Sequence, residues 1–123
     1  MQPHTAQNAF SGYIGPGNAF SAEFGNYQPY LRADLGTSYN ISRVVITSRA
    51  AYILPVENYV IRLGNSAVHG TNPIFGYIRG PINQLGKAIE LKQDPPRLGR
   101  YIEIRRTQKN VWFSFTQIEI FKV

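Results

Sequence analysis

The chain contains no cysteine among its 123 residues, and only one methionine, one tryptophan and two histidines. Without thiols there is no disulfide, no thiolate nucleophile and no cysteine-bound metal. His4 and His69 are isolated in loop-like surroundings, and no His-Glu spacing suggests a zinc site or a general base. Carboxylates are also scarce: the seven acidic residues are scattered. Glu103 and Glu119 each alternate with isoleucines, which predicts solvent-facing strand positions. An enzyme would have little to work with, so a non-enzymatic protein is expected.

Long apolar runs are missing too. None reaches the ~18 residues needed to span a bilayer, and "MQPHTAQNAF" has neither a basic n-region nor an apolar h-region, so a soluble chain is expected. There is no convincing helical periodicity, no internal repeat and no linker. "GPINQLGKA" (Gly80 to Ala88) mimics a phosphate loop but is one residue too long, and no Ser or Thr follows Lys87 to hold magnesium. The glycines of "SGYIGPGNAF" fail the dinucleotide spacing and open no helix.

What is present favours strands. Eight Tyr, seven Phe and many Val and Ile in short runs suit pleated, half-buried surfaces. Eleven Gly and eight Pro punctuate them along the chain. The first thirty residues read as long loops. "ISRVVITSR" (Ile41 to Arg49) places Val44 and Ile46 on one face, with Arg43, Val45 and Thr47 on the other. "ENYVIRLGNS" sets Tyr59, Ile61 and Leu63 against Val60 and Arg62, and "KAIELKQ" sets Ile89 and Leu91 against Glu90 and Lys92. "RYIEIRR" and "VWFSFTQIEIFKV" complete the series. The spacing predicts a single domain over residues 1–123, an all-β sandwich of antiparallel sheets. Its core is expected to hold Val44, Ile46, Tyr59, Ile61, Leu63, Ile89, Leu91, Ile102, Ile104, Ile118 and Ile120.

The formal net charge is +6, which permits attraction to anionic partners. Its densest part, "RLGRYIEIRRTQK", carries Arg97, Arg100, Arg105, Arg106 and Lys109. These read as the solvated face and ends of a strand, because a single-strand groove also needs several exposed aromatics for base stacking and only Tyr101 and Trp112 lie near. No nucleic-acid partner is expected. Asn40-Ile41-Ser42 matches a glycosylation sequon.

"QPYLRADLGTSYNISRVVITSR" resembles the signature of the fucose-binding F-type lectins, within the discoidin-like, galactose-binding-domain-like group. That signature runs Asn-Pro, two aromatics, Arg-x-Asp-Leu, a Tyr, a β-branched strand and Asn-Arg. The counterparts here are Gln28-Pro29, Tyr30-Leu31, Arg32-Ala33-Asp34-Leu35, Tyr39, Val44 to Thr47 and Ser48-Arg49. "IRLGNS", the Pro-containing loop "NPIFGYI", "LGRYIEIRR" and the closing strand "FTQIEIFKV" follow in family order, so the resemblance covers roughly residues 8–123. It implies an eight-stranded antiparallel jelly-roll β-sandwich.

The resemblance also implies a sugar site at one end of the sandwich, built from a histidine and two arginines. The first arginine matches Arg49. The histidine position falls on Ala22, beside Glu23, and the second arginine falls at Val56 or Glu57. Ala51 stands where an aspartate braces the first arginine, and Tyr52-Ile53 where a cysteine pair forms the sugar platform. Recognition of a monosaccharide needs planar hydrogen-bond donors and an apolar face for its C–H surface. Arg49, Tyr52, Glu23 and Asn18 are the candidates. Arg49 also fits a plainer role, capping the end of its strand beside a carboxylate or carbonyl.

The family's calcium loop resembles "NAFSG", keeping Asn8 but placing Ser11 at the aspartate and Gln117 at the closing-strand glutamate. Calcium prefers several carboxylates among its six to eight oxygens, so no cofactor is expected. The resemblance starts inside the family pattern, so the strand that precedes this loop there is expected to be missing, with a sheet edge left for a partner or another element to cover.

The leading expectation is a lectin-like module for a fucose- or galactose-type saccharide or a glycoprotein, with altered specificity. Two others stay open. The fold could serve as a structural or assembly protein, a homo-oligomer or part of a larger assembly, with Tyr52, Ile53 and Leu54 in the interface. Alternatively the apolar tip "AYILP" could enter a membrane surface, as loop-tip hydrophobes with basic neighbours can. An extracellular location is expected, and the absence of cysteine leaves an intracellular one open.

Overall fold

A computed structural model of the chain describes residues 9–13, 21–23, 30–48, 56–68, 70–107 and 115–123. These residues form seven strands and no helix: β1 (Ala9–Tyr13), β2 (Ser21–Glu23), β3 (Tyr30–Ser48), β4 (Tyr59–Gly64), β5 (Ile74–Ile78), β6 (Ala88–Arg106) and β7 (Phe115–Lys122). Every pairing is antiparallel.

Two strands of 19 residues organise the molecule. The first part of β3, Tyr30 to Asp34, pairs with Arg105 to Tyr101 of β6, and its last part, Arg43 to Thr47, pairs with Lys92 to Ala88. The β3–β6 ribbon is thereby shared between two layers. In one, β2 flanks β3, and β4 followed by β5 flanks β6. In the other, β7 followed by β1 flanks β3. Both layers contribute to one hydrophobic cluster: Leu31, Ile61, Leu63, Ile102 and Ile104 from the first meet Val44, Ile46, Ile118 and Ile120 from the second. This is the antiparallel β-sandwich expected from the alternation, in the jelly-roll form that the resemblance implies.

The ribbon folds where β3 loses its register between Asp34 and Tyr39. Gly36 turns the corner with φ 91°, a left-handed value that costs glycine little. The Gly36 N–H donates to Asp34 Oδ1 at 2.8 Å. On β6 the bend sits at Gly99, where a Cβ would stand 2.7 Å from Leu63 Cγ and 2.8 Å from the Gly64 nitrogen. Only a hydrogen fits, so β4 packs directly against the bend.

Several expectations are corrected. The first thirty residues contain β1 and β2, whose order comes from ladder bonds to β7 and β3 rather than from local propensity. The strand expected over Ile41 to Arg49 begins at Tyr30, and "KAIELKQ" and "RYIEIRR" are one strand rather than two. "NPIFGYI" holds strand β5, with Phe75 and Ile78 buried. Ile89 and Leu91 are half-buried at the edge of the cluster, whereas Leu31, Ile41, Val56 and Phe75 join its centre.

Glu103 does not face solvent. The Gly70 N–H donates to its Oε1 at 2.8 Å, and Arg105 Nε donates to its Oε2 at 3.1 Å. Charge-assisted bonds of this kind are what make a buried carboxylate tolerable. Nor are the arginines of this stretch uniformly solvated. Arg106 is buried, and Arg97 Nη2 donates to the Ile74 carbonyl at 2.9 Å.

Candidate binding site at the loop end of the sandwich

The corner of the ribbon closes one end of the sandwich, and the connections between the layers gather at the other. Segment 49–58 leaves β3 and enters β4, segment 79–87 joins β5 to β6, and segment 107–114 joins β6 to β7. Backbone bonds knit the described parts of these segments together. Val56 and Ile82 exchange two N–H···O=C bonds of 3.0 Å, and the Thr107 N–H donates to the Asn58 carbonyl at 2.7 Å.

Particular residues make this knitting possible. Asn58 adopts φ 60°, a left-handed conformation that asparagine tolerates better than most side chains. Gly80 has φ 61°, and a Cβ there would collide with the Val56 carbonyl oxygen. Val56 is fully buried beneath this junction.

Ser48, the last residue of β3, is the central fastening. Its hydroxyl donates to the Gln84 carbonyl at 2.5 Å and accepts from the Lys87 N–H at 2.8 Å. Its own N–H donates to the Lys87 carbonyl at 2.9 Å. Ser48 is buried, so these bonds work in a low-dielectric setting where their loss is costly. Arg49 therefore follows directly from a residue tied by three bonds into the segment that joins β5 to β6.

The candidate residues divide accordingly. Arg49, Tyr52 and Asn18, with the interface candidates Ile53 and Leu54, lie outside the described residues, as do His4, Asn8, His69 and Trp112. The Glu23 backbone is described: it ends β2 opposite Tyr30, and Tyr30 in turn pairs with Arg105. Glu23 thus reaches the same end of the sandwich as Ser48. Ser11 and Gln117 sit on the paired strands β1 and β7, opposite Glu119 and Tyr13 respectively. Among the described residues no group of three or more His, Cys, Asp or Glu side chains is placed to hold a metal ion.

Of the two positions where the family pattern carries a second arginine, Val56 is core. Glu57 instead brings an acidic oxygen to 3.8 Å from Arg106 Nη2. The Arg106 guanidinium also lies over the Tyr59 ring, 5.6 Å from its centroid. The loop end so keeps a guanidinium, but one delivered by β6 and buried, with its charge opposed by Glu57. Neither Ser48 nor Arg106 is singled out by the sequence. A serine before an arginine carries no local signal, and the pairing of Glu57 with Arg106 bridges 49 positions.

No protein-family model and no curated protein matches the sequence. The fold, by contrast, recurs in solved structures. An F-lectin (fucolectin) from striped bass (Morone saxatilis) serum aligns with a TM-score of 0.68 at 21% identity, over 84% of this chain and 36% of that one. A fucose-binding module from Streptococcus pneumoniae gives 0.59 at 17% identity, over 77% of this chain and 64% of that one. The family 32 CBM from C. perfringens NanJ, solved with galactose, gives 0.60 at 16% identity, over 93% of this chain and 92% of that one. The chain thus spans 36% of the bass lectin chain and 64% of the pneumococcal module. Its fold is the antiparallel jelly-roll β-sandwich of these solved structures.

Proposed function

We propose that the chain is a non-enzymatic carbohydrate-binding module that takes a fucose- or galactose-type saccharide at the loop end, free or on a glycoprotein. Arg49 is the principal donor to ring hydroxyls, Tyr52 provides the apolar face, and Glu23 and Asn18 complete the polar set. The observation that carries this reading is the fastening of Ser48 to Gln84 and Lys87. A guanidinium that follows a buried, doubly bonded residue loses less freedom on binding than one in an untethered loop. The expected pairing is charge-assisted on the protein side only, which suits a neutral polyol. The lectins and sugar-binding modules that share the fold support the same ligand class.

A glycan array probed with and without calcium tests the proposal. Retention of fucose- or galactose-terminated glycans, unchanged by chelator, is the expected pattern. Failure of the folded protein to retain any glycan would overturn it.

A further inference from the structure

A concave feature lies away from the loop end, where β3 and β6 pair in the second layer. Between the pairs Ile41↔Arg97 and Arg43↔Lys92, the single residue Ser42 on β3 faces residues 93–96 on β6. Pro95 and Pro96 have no N–H to give to a ladder, so β6 must bulge away from its neighbour here. The bulge is held at both shoulders. Gln93 Nε2 donates to the Phe75 carbonyl at 2.7 Å and Arg97 Nη2 to the Ile74 carbonyl at 2.9 Å. Between this fixed bulge and Ser42–Arg43 lies a cleft of about 340 Å³, near the lower end of the ~300–1,000 Å³ typical of ligand pockets. It has room for one sugar unit.

The groups lining it are already ordered. The Arg43 guanidinium lies over Phe121, 3.8 Å from the ring centroid, and its Nη1 donates to Glu90 Oε2 at 2.7 Å. Lys92 Nζ approaches the other Glu90 oxygen at 3.4 Å. The Arg43 and Glu90 side chains remain 37% and 36% exposed, and ion pairs so open to water add little stability, about 0–1 kcal/mol. What the pair does provide is a fixed donor beside a fixed acceptor. Each hydroxyl of a sugar is both donor and acceptor, so two adjacent hydroxyls match such a couple. Charge in the cleft cancels, with Arg43 and Lys92 against Glu90 and Asp94, which favours a neutral ligand over an ion. Pro96 and the Lys92 stem offer apolar surface for the C–H side of the ring.

We infer that this cleft is a second binding site, for a neutral sugar unit bearing vicinal hydroxyls. It shares a ligand class with the loop-end proposal but stands on separate residues. Arg43 is five positions before Ser48, roughly 17 Å along an extended strand.

Amide correlation spectra of isotope-labelled protein, titrated separately with glucose, galactose, mannose and fucose, test the inference, with glucuronate and inorganic sulfate as charged probes. At least one neutral sugar is expected to give saturable shifts at Arg43 and at residues 90–94. Glu90→Gln, exposed and near-isosteric, should weaken that binding roughly ten-fold or more through loss of a charged acceptor. Arg49→Ala should leave it intact while the loop-end shifts disappear. The inference fails if no neutral sugar gives a saturable shift at these amides, if Glu90→Gln binds as tightly as the parent, or if glucuronate or sulfate binds more tightly. It fails equally if Arg49→Ala abolishes the cleft shifts, since there would then be one site and not two.

Discussion

Asp34 grips Arg100 through both carboxylate oxygens, at 2.7 Å to Nε and 2.9 Å to Nη2, beside the corner where β3 and β6 bend. The Arg100 bond, helped by the Gly36 N–H, lowers the Asp34 pKa from 3.8 to about 2. A carboxylate whose folded pKa is depressed contributes stability that is full above its unfolded value and lost as pH falls through the folded one. The window is therefore pH 3.8 down to about 2. Urea midpoints measured across it should fall more steeply for the parent than for Asp34→Asn, and parallel profiles would show that the pair carries no pH-dependent stability.

Gly99→Ala should destabilise the fold by about 1–3 kcal/mol, the usual range for overpacking. The added methyl meets Leu63 Cγ and the Gly64 backbone at 2.7 and 2.8 Å, and the backbone has nowhere to retreat inside β4. Chemical denaturation reads this directly. A cost under ~0.5 kcal/mol, ordinary for a surface change, would mean that β4 does not press on the bend.

Ile104→Ala should cost about 2–5 kcal/mol. Ile104 is fully buried and sits in the ladder opposite Leu31 on one side and Ile61 on the other. Equilibrium unfolding measures the loss, and a near-neutral result would place the core elsewhere.

Ser48→Ala removes the bonds to Gln84 and Lys87 at once. Losing both bonds of a buried hydroxyl should cost about 1–3 kcal/mol. Amide exchange of Lys87 should quicken more than that of the central strands, because the fastening is local. Unchanged exchange at Lys87 would remove Ser48 from its assigned role.

Much of the fold was legible because alternation is a local signal. Val44 and Ile46, Ile61 and Leu63, and Ile102 and Ile104 each reach the core as their period of two requires. Glu103 defeats the same rule because its cover arrives from Gly70, 33 positions away. The continuity of β6 was hidden by Asp94-Pro95-Pro96, which reads as a break although the structure passes through it as a bulge. At the loop end, the resemblance pointed to Arg49, but the burial of Val56 and the Glu57–Arg106 pairing depend on contacts across the sandwich that no single segment announces.

The most direct test of the central claim is calorimetric titration of the parent and of Arg49→Ala, in chelator, with the best fucose- or galactose-terminated glycan found on the array. The parent should bind without calcium, and the variant should lose on the order of 1.5–3 kcal/mol of affinity, the worth of a hydrogen bond from a charged group. Equal affinities in two equally folded proteins would contradict the assignment of the loop end as the saccharide site.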